Sequence, residues 1–372
     1  MATLEKSNRI VIKIGSAILV NSEKGILREK WLSSLCKEIS ELKVSGKDVA
    51  IVSSGAIALG RSRLGLQNRK LALSEKQACA AAGQSLLTLA YEKALSKFGI
   101  TTAQALLTLN DTEDRRRWLN ARSTLDTLLL LGAVPIINEN DTVATDEIRY
   151  GDNDRLAART AQMIGSDTLI LLTDIDGLYT SDPRINKNAQ HVPQVENLTD
   201  EIMGMGTGVN THTNLGSGGM ATKLIAARIA TQAGCKVCIM DGRKNKPLQR
   251  LSLGERASWF SAESNPKSAR SQWISGTLKP SGSIVIDAGA VKALKTNKSL
   301  LPAGAISLTG DFNKGDAVVI IDENNLEIAR GLVSYDKTEA EKIIGFKSED
   351  ILNILGYDNG PVLIHRDNLV VV

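Results

Sequence analysis

With 372 residues, 42% of them hydrophobic and 23% charged, the chain has the composition of a soluble globular protein and is long enough for two domains. Its 45 basic and 41 acidic side chains leave a net charge of +4, which argues against a nucleic acid or a membrane surface as an obligatory partner. No apolar run approaches the roughly 18 residues of a membrane helix. Since the polar N-terminus also lacks a signal-peptide pattern, we expect a cytoplasmic protein.

The first 262 residues alternate short aliphatic runs with longer amphipathic segments. Aromatic residues make up only 3% of the chain, so the core must consist of aliphatic side chains, as is typical of parallel sheets. The repetition predicts a three-layer α/β/α sandwich with a mainly parallel sheet. Strands are predicted at 10–14, 49–52, 133–137, 168–172 and 236–240, and helices at 31–44, 55–63 and 155–163, with a further helix opened by the motif at 216–223 and continuing through 229.

The first strand contains a lysine, Lys13, and is followed by Gly15 and Ser16. Burying a lysine is costly unless its ammonium group emerges at a ligand, and a Gly-Ser pair allows close approach of the backbone to phosphate. The alternative is a lysine on an edge strand that faces solvent. This motif alone leaves both interpretations open.

The second strand leads into Ser-Ser-Gly-Ala at 53–56, where a helix is predicted to begin. Exposed amides at a helix N-terminus bind anions, and the serine hydroxyls can also donate hydrogen bonds. The alternative is plain N-capping by Ser53 or Ser54. Capping and substrate binding are compatible, so the motif favours a ligand site only moderately.

Two clusters of acidic and amide residues lie at predicted junctions between elements: Asn-Glu-Asn-Asp at 138–141 and Gly-Asp-Asn-Asp at 151–154. Such side chains can hold a substrate ammonium group, orient lysines or contact a metal-bound nucleotide. Ordinary loop and cap chemistry is the alternative for either cluster. Their common position at strand-to-helix junctions favours a shared site.

The segment from Asp176 to Gly219 is polar and rich in Pro and Gly, which predicts a long loop that acts as a lid or is disordered. It ends in Gly-Ser-Gly-Gly-Met-Ala-Thr-Lys at 216–223, which opens the helix through residue 229. Glycine-rich backbone before a helix, with Lys223 one turn in, suits a polyphosphate. Glycine-rich loops are also common in linkers.

Two familiar types of site are not indicated. The chain contains no G-x-x-x-x-G-K-[ST] motif, which argues against a P-loop NTPase. Four cysteines are too few for a disulfide framework, and the pair Cys235 and Cys238 overlaps a predicted strand. Buried reduced thiols are therefore favoured over zinc or redox chemistry.

The alternation of aliphatic runs and amphipathic segments ends after residue 262. We assign residues 1–262 to the first domain, 263–281 to a polar linker and 282–372 to a small, mostly β domain with its core at about 282–360. Short strands are predicted at 283–286, 305–307, 316–321 and 327–333, and short helices at 289–294 and 349–355.

The motifs K-x-G-S, SSGA, NEND, GDND, TDIDGLY and SGGMATK, taken together and in this order, resemble the amino acid kinase superfamily. Their spacing is most similar to the members that phosphorylate glutamate. The region 282–360 looks like a PUA domain, so the resemblance covers nearly the whole chain. It departs from the usual pattern at Ser16 and Ser217, where threonine is more common, and at 209–214, which has no evident counterpart.

The resemblance implies a role for individual residues. Lys13 and Lys223 would stabilise the transferring phosphoryl group and Asp154 would orient them. No residue would bind a metal directly, since Mg²⁺ would be held mainly by the ATP phosphates. The implied glutamate-binding residues are Ser54, Gly55, Asn138, Asp141 and Asn153. The implied nucleotide-binding residues are Lys13, Gly15, Ser16, Thr173, Asp174, Ser217, Gly218, Gly219, Met220, Ala221, Thr222 and Lys223.

The implied reaction is phosphorylation of the γ-carboxylate of L-glutamate by ATP and Mg²⁺ to give L-glutamyl 5-phosphate, the first step of proline biosynthesis. A carboxylate is already an anion at pH 7 and needs no general base. The resemblance also implies feedback inhibition by proline and a homo-oligomer, dimer or tetramer. Glutamate-5-semialdehyde dehydrogenase, which consumes the labile product, is a further implied partner.

Two alternatives remain at this stage. The first is an amino acid kinase that acts on N-acetylglutamate, aspartate, carbamate or a nucleoside monophosphate. The second is an RNA-binding protein, because PUA modules occur in RNA-modifying enzymes. Residues 282–360 carry 8 basic and 12 acidic side chains, a net charge of −4. An RNA-binding domain generally needs a basic surface, so this charge argues against RNA.

Overall fold

The computed structural model describes residues 4–21, 25–67, 69–143, 153–206, 219–272, 274, 280–357 and 360–371. The strands in these ranges are β1 (Arg9–Ile14), β2 (Val20–Asn21), β3 (Ile26–Leu27), β4 (Asp48–Ser53), β5 (Thr102–Leu107), β6 (Val134–Glu139), β7 (Thr168–Thr173), β8 (Leu178–Tyr179), β9 (His191–Val192), β10 (Gln194–Val195), β11 (Lys236–Asp241), β12 (Ala257–Phe260), β13 (Gly282–Ile286), β14 (Ala305–Gly310), β15 (Ala317–Ile321), β16 (Glu327–Leu332) and β17 (Leu369–Val371).

The helices in the same ranges are α1 (Ser16–Leu19), α2 (Glu29–Val44), α3 (Ala56–Arg63), α4 (Leu73–Leu95), α5 (Leu109–Glu113), α6 (Arg115–Leu130), α7 (Asn153–Ile164), α8 (Asp200–Gly204), α9 (Met220–Gln232), α10 (Pro247–Ser252), α11 (Pro266–Gln272), α12 (Ala288–Lys295), α13 (Lys337–Ile343) and α14 (Ile351–Leu355). Short 3₁₀ turns lie at Leu4–Lys6, Ser96–Phe98, Pro302–Gly304, Ser348–Asp350 and Arg366–Asn368. The chain divides into two compact units, residues 1–114 with 120–266, and residues 115–119 with 267–372.

The first unit is built on a sheet whose eight described strands follow the order β10-β12-β11-β7-β1-β4-β6-β5. The six strands from β11 to β5 in this order run parallel to one another. β12 is antiparallel to β11, and β10 is parallel to β12. The predicted mainly parallel sheet is therefore confirmed, with its central strands at the aliphatic runs of the sequence.

The two faces of this sheet are covered by different helices. Along β1, Ile10, Ile12 and Ile14 pack into one apolar core that also contains side chains of α2, α4 and α10. Lys13 points to the opposite face, because successive residues of a strand alternate between faces. There α7 contacts β1, β7 and α9. The three-layer α/β/α arrangement is thus confirmed.

The strand order reverses at β1, which lies between β4 and β7 although the chain visits these strands at very different points. Ligands of open α/β sheets bind beyond the carboxyl ends of the strands at such a reversal. Lys13 is the penultimate residue of β1 and pairs with Val52 on one side and Leu171 on the other. The fold therefore places this lysine at the point where a ligand site is expected.

The prediction of a long loop from Asp176 to Gly219 is wrong for the part that the structure describes, which extends to residue 206. β8 and β9 form a two-stranded hairpin, β10 joins the main sheet, and α8 follows. Leu178 and Val195 are buried. Two-residue strands are too short to show a period in the sequence, so only tertiary pairing reveals them. The stretch 209–214 lies outside the described residues.

The second unit contains a five-stranded sheet in the order β14-β13-β15-β16-β17. β13 and β15 are parallel, and the other neighbours are antiparallel. Its apolar core includes Ile284, Phe312, Val318 and Tyr335. The small, mostly β region predicted here is confirmed. The polar stretch that precedes it, predicted as a linker, contains α11.

The four cysteines, Cys36, Cys79, Cys235 and Cys238, are all unpaired and buried, as predicted. Burial raises the pKa of the Cys36 thiol to about 12 and raises the pKa values of Cys235 and Cys238 as well. Thiolates are the reactive form of cysteine, so these side chains act as small apolar core residues. Among the described helices, none is both long and apolar enough to cross a membrane.

The close crossing of α3 and α4 depends on two glycines, Gly60 and Gly83. A Cβ atom on Gly83 would lie 1.8 Å from the carbonyl oxygen of Ala56 and 2.6 Å from the amide nitrogen of Gly60. We expect Gly83→Ala to force the helices apart and to lower the free energy of unfolding by about 1–3 kcal/mol or more. Denaturant titration measures this loss.

The matched control is Gly204→Ala in α8, where a Cβ atom would meet nothing within 4 Å. Alanine favours a helix over glycine, so the control should be as stable as the natural protein. If Gly83→Ala unfolded at the same denaturant concentration as the natural protein, the crossing of α3 and α4 would not depend on backbone contact.

Candidate active site

β1, α7 and α9 bring together two lysines and one aspartate that are far apart in the sequence. Lys13 Nζ lies 2.6 Å from Asp154 Oδ1, and Lys223 Nζ lies 3.1 Å from Asp154 Oδ2. Asp154 is fully buried, and the lysines are 6% and 4% exposed. Each oxygen of one carboxylate therefore faces a different ammonium group. We refer to Lys13, Asp154 and Lys223 as the charged trio.

Local sequence explains how the charged trio assembles. Lys13 points from β1 toward α7, Asp154 is the second residue of α7, and Lys223 is the fourth residue of α9. The packing of α7 against both β1 and α9 then brings the three side chains together. A carboxylate in the first turn of a helix is also favoured by the helix dipole. The alternative of a solvent-facing lysine on an edge strand is wrong, because β1 is central and Lys13 is buried.

Electrostatics within the charged trio favours the ionised carboxylate. Burial raises the pKa of Asp154, but the charges of Lys13 and Lys223 outweigh burial and hold this pKa below its ordinary value. Burial lowers the pKa of Lys223; the charge of Asp154 opposes this shift and that of Lys13 adds to it. With both lysines protonated the trio carries one net positive charge in a poorly hydrated place. Such a charge attracts an anion more strongly than it would in water.

Thr222 supports the trio from the first turn of α9. Its hydroxyl group lies 3.1 Å from Asp154 Oδ2 and 2.8 Å from the carbonyl oxygen of Gly219, and it can donate to either. Gly219 is the exposed N-cap of α9, and the helix continues through Met220 and Ala221. The described part of this predicted nucleotide-binding segment, residues 219–222, is therefore continuous with the charged trio.

On the β4 and β6 side of the trio, three polar residues form what we call the amide cluster: Ser54, Asn138 and Asn153. Asn153 Nδ2 lies 2.8 Å from Ser54 Oγ and 2.9 Å from Asn138 Oδ1. It also lies 3.3 Å from the carbonyl oxygen of Ser53. Plain N-capping by Ser53 or Ser54 is wrong, because Gly55 is the N-cap of α3 and no side chain caps it.

Gly55 has φ of +113°, a left-handed conformation in which a side chain would be strained. This turn separates Ser54 from α3, and it lets the serine hydroxyl face Asn153 instead of the helix end. The strand-to-helix junction is therefore shaped by glycine, and its serines are available for other bonds.

The orientation of the Asn153 amide is set by its neighbours. Its nitrogen faces three oxygen atoms, two of which, the Ser53 carbonyl and Asn138 Oδ1, can only accept hydrogen bonds. A flipped amide would place oxygen against oxygen. Asn153 Oδ1 is buried and has no hydrogen-bond partner among the described residues. A buried acceptor without a donor is costly, so a ligand that supplies one would be favoured.

Asp141 lies just after β6 and is partly buried. Its carboxylate has no hydrogen-bond or ion-pair partner within the described ranges, and burial raises its pKa to about 6. The structure does not bring Asp141 into direct contact with the amide cluster or the charged trio. A cationic group of a ligand would remove the cost of its burial.

On the other side of Lys13, β7 ends at Thr173, whose hydroxyl donates to Asp174 Oδ1 at 3.1 Å. Asp174 is exposed, and its charge partly offsets the lowering of the Lys223 pKa that burial causes. Gly15, at the end of β1, donates its N–H to the carbonyl oxygen of Leu172, and Ser16 is exposed at the start of α1. The predicted nucleotide-binding residues that the structure describes thus lie in and just after β1 and β7 and at the N-terminus of α9.

Comparison with known proteins agrees with this geometry. Residues 8–241 match the model of the amino acid kinase family, and residues 282–355 match the PUA domain. The chain belongs to the amino acid kinase family. The resemblance read from the motifs is confirmed, and so is the PUA-like region.

Similar members of the amino acid kinase family include two named glutamate 5-kinases. The one from Caulobacter vibrioides is 55% identical over 367 residues, which cover 99% of this chain and 97% of the relative. The one from Brucella abortus is 54% identical over 368 residues with the same coverage. A solved carbamate kinase from Giardia lamblia, bound to AMP-PNP, is 18% identical with a TM-score of 0.49, covering 69% of this chain and 99% of that one.

As a member of the amino acid kinase family the chain is a kinase. The charged trio lies where the strand order of the main sheet reverses. Five residues of the predicted motifs lie outside the described residues: 216–218 of the glycine-rich motif, which include Ser217 and Gly218, and the first two residues of the cluster at 151–154. Two residues of α4 that contact the site, Gln84 and Tyr91, were missed from sequence. The small residues at 80–83, Ala-Ala-Ala-Gly, were the available signal, because they indicate a helix packed closely against its neighbour.

Proposed function

We propose that this kinase transfers the γ-phosphoryl group of ATP to the γ-carboxylate of L-glutamate, giving L-glutamyl 5-phosphate in the first step of proline biosynthesis. The observation that carries the proposal is the position of the charged trio. It lies between an amide cluster suited to an amino acid and the residues at the end of β7 and the start of α9 that are suited to a nucleotide. Identity of 55% to a glutamate 5-kinase over nearly the full length supports the choice of glutamate.

The chemistry requires charge neutralisation more than proton transfer. The attacking γ-carboxylate is already ionised, so no general base is needed. Negative charge builds on the oxygens around phosphorus as the bond to ADP breaks, and buried cations stabilise it. Lys13 and Lys223 would supply this positive charge from opposite sides, while Asp154 would fix their positions. Gly15, Ser16, Thr173, Asp174 and the backbone of 217–222 would hold the nucleotide.

Glutamate recognition follows from the donors and acceptors of the substrate. The α-ammonium group is the only donor on glutamate at neutral pH, so it would bind the acceptors Asp141 and Asn153 Oδ1. Ser54 Oγ already accepts from Asn153, so its hydroxyl hydrogen can be donated to a carboxylate of the substrate. Gly55 would leave room beside it, and Asn138 would hold Asn153.

Magnesium would enter as part of the Mg–ATP substrate. Within the described residues no group of three or more His, Cys, Asp or Glu side chains could hold a metal ion. Mg²⁺ favours phosphate oxygens and water over an all-protein cage, so the protein would hold it through the nucleotide. When bound, the ion would add positive charge beside the transferring group.

Glutamate-dependent release of ADP from Mg–ATP tests the proposal. The rival substrates are aspartate, N-acetylglutamate, carbamate and a nucleoside monophosphate, each assayed under the same conditions. We expect the highest kcat/KM with glutamate. A higher kcat/KM with any rival would contradict the assignment of substrate.

We also propose that proline inhibits the enzyme at or beside the glutamate site, that the chain forms a dimer or tetramer, and that it works in the cytoplasm. The labile acyl phosphate would pass to glutamate-5-semialdehyde dehydrogenase. No inhibition of the kinase rate at millimolar proline would contradict the regulatory part of this proposal.

Acid should weaken glutamate use through Asp141. Because its pKa is about 6 in the free enzyme, the carboxylate that would bind the ammonium group is lost below that pH. We expect kcat/KM for glutamate to be level above pH 7 and to fall by about tenfold per pH unit below pH 6. A pH profile at saturating ATP measures this.

Asp141→Asn tests the origin of that profile. We expect it to lower kcat/KM at pH 7.5 and to flatten the acid limb, since no carboxylate then titrates. Asp174→Asn, an exposed carboxylate on the nucleotide side, is the comparison and should keep the limb. If Asp141→Asn retained the full acid limb, another group would be responsible.

A further inference from the structure

One face of α4 carries two polar side chains that contact the ends of the strands beneath the amide cluster. Gln84 and Tyr91 are seven residues apart, which places them on the same side of a helix. Gln84 Oε1 accepts a hydrogen bond of 2.7 Å from Asn138 Nδ2, beside β6. The Tyr91 hydroxyl lies 2.9 Å from Ser53 Oγ, at the end of β4.

The bond from Asn138 to Gln84 settles which way the Asn138 amide points. Asn138 is 2% exposed, and its Oδ1 accepts from Asn153 Nδ2 and from the backbone N–H of Glu139, both at 2.9 Å. Its nitrogen then faces Gln84, whose carbonyl oxygen is the acceptor it needs. In a flipped amide the nitrogen would face two donors and the oxygen would face Gln84 Oε1.

The orientation of the Asn138 amide in turn determines that of the Asn153 amide. The Asn153 nitrogen donates toward Asn138 Oδ1, so its own oxygen is directed away from these neighbours and is left without a partner. The chain of contacts from Gln84 through Asn138 to Asn153 therefore determines where the unpaired acceptor lies. A substitution of Gln84 would therefore alter the orientation of the Asn153 amide, although the two side chains have no direct hydrogen bond.

We propose that Gln84 is a positioning residue for glutamate binding, which orients the acceptor of Asn153 through the amide of Asn138. This inference rests on the proposed function, because it assigns Gln84 to the glutamate side of the site. The hydrogen bonds of the Gln84 side chain within the described residues go to Thr88 and Asn138, not to the charged trio or the residues assigned to the nucleotide. Its effect therefore falls on glutamate affinity and not on the phosphoryl transfer itself.

The packing of α4 explains why Gln84 reaches Asn138. The neighbouring residue, Gly83, lies in backbone contact with α3, so α4 approaches the site more closely than side chains would allow. Thr88, one turn along, lies 3.4 Å from Gln84 Nε2 and helps to direct the amide oxygen of Gln84 toward Asn138. The Tyr91 bond to Ser53 fixes the same helix at a second point.

The test compares two substitutions of nearly equal shape. Gln84→Met removes the acceptor and keeps the length of the side chain, whereas Gln84→Glu keeps an oxygen at the same position. Gln232→Met, at the exposed end of α9, controls for the substitution itself. KM for glutamate, KM for ATP, kcat and the Tm are measured for each purified protein.

We expect Gln84→Met to raise KM for glutamate by about tenfold, because a buried donor loses its partner and the amide of Asn138 becomes free to turn. Its kcat and its KM for ATP should remain close to those of the natural protein, and its Tm should fall by only a few degrees because one buried donor is left unpaired. Gln84→Glu should restore KM to within about threefold, and Gln232→Met should change nothing.

An unchanged KM for glutamate in Gln84→Met would overturn the inference. Equal defects in Gln84→Met and Gln84→Glu would overturn the role of the acceptor oxygen, and a fall in kcat with unchanged KM would place Gln84 in the transfer step instead. Failure of the natural protein to release ADP with glutamate is a separate result. It would contradict the proposed function and this inference with it.

Discussion

Replacing either lysine of the charged trio by alanine should reduce kcat by about 100- to 1000-fold while leaving KM for glutamate within about threefold. Lys13 and Lys223 face different oxygens of Asp154 and together leave one net positive charge in a buried place. This charge would stabilise the oxygens around phosphorus, where negative charge is greater in the transition state than in the bound substrates. Its removal therefore lowers the rate more than it weakens binding.

Initial rates at saturating ATP and varied glutamate separate the two effects. Lys37→Ala, an exposed lysine of α2, is the matched control and should keep full activity. The double variant Lys13→Ala with Lys223→Ala should lose less than the product of the single effects, because the two lysines act as a unit. Turnover near the natural value in either single variant would show that the trio does not take part in the transfer.

Much of the first unit was predictable because its strands are aliphatic runs that end in polar motifs. The runs that became β1, β4 and β7 needed no tertiary information. Lys13 and Ser54 were candidates because ligands bind beyond the carboxyl ends of parallel strands, whereas Thr173 was implied only by the family resemblance. Local propensity and the final fold agree for these strands, so the pattern alone was sufficient to place them, although it left the roles of Lys13 and Ser54 open.

The remainder depended on contacts that leave no local pattern. The hairpin of β8 and β9 contains two-residue strands, for which no period can be seen. Gln84 stands in the middle of a helix, where a glutamine is ordinarily a solvated residue. Only the approach of α4 to β6, permitted by Gly83, gives it a partner in Asn138. The sequence shows that Gln84 is present, but its contact with Asn138 depends on how α4 crosses α3, which the sequence does not show.

The role of Asp154 also depends on tertiary contacts that the sequence does not show. Asp154 was predicted to orient two lysines, but from the residues alone the cluster at 151–154 could equally have been a helix cap. Full burial with an ammonium group on each oxygen makes its charge indispensable to both lysines. Removing that charge should affect stability and catalysis together.

Asp154→Asn should lower the free energy of unfolding at pH 7 by about 3–5 kcal/mol and kcat by about 1000-fold. Asparagine has nearly the same size, so the change removes the charge and leaves two buried ammonium groups to repel each other. The charge of Asp154 also raises the pKa of Lys223, so without it burial and Lys13 would lower that pKa further. Denaturant titration and initial rates measure the two losses.

The pH dependence of the stability loss distinguishes charge from shape. The folded-state pKa of Asp154 lies below its ordinary value, so its contribution is present above an unfolded pKa of about 4 and is lost as pH falls through the folded pKa. The difference between the natural protein and Asp154→Asn should therefore be full at pH 7 and shrink in acid. The comparison is Asp182→Asn, which breaks an exposed pair with Arg184 and should cost about 1 kcal/mol or less. A difference that stayed constant down to pH 2 would mean that Asp154 stabilises the fold by its shape and hydrogen bonds, with no contribution from its charge.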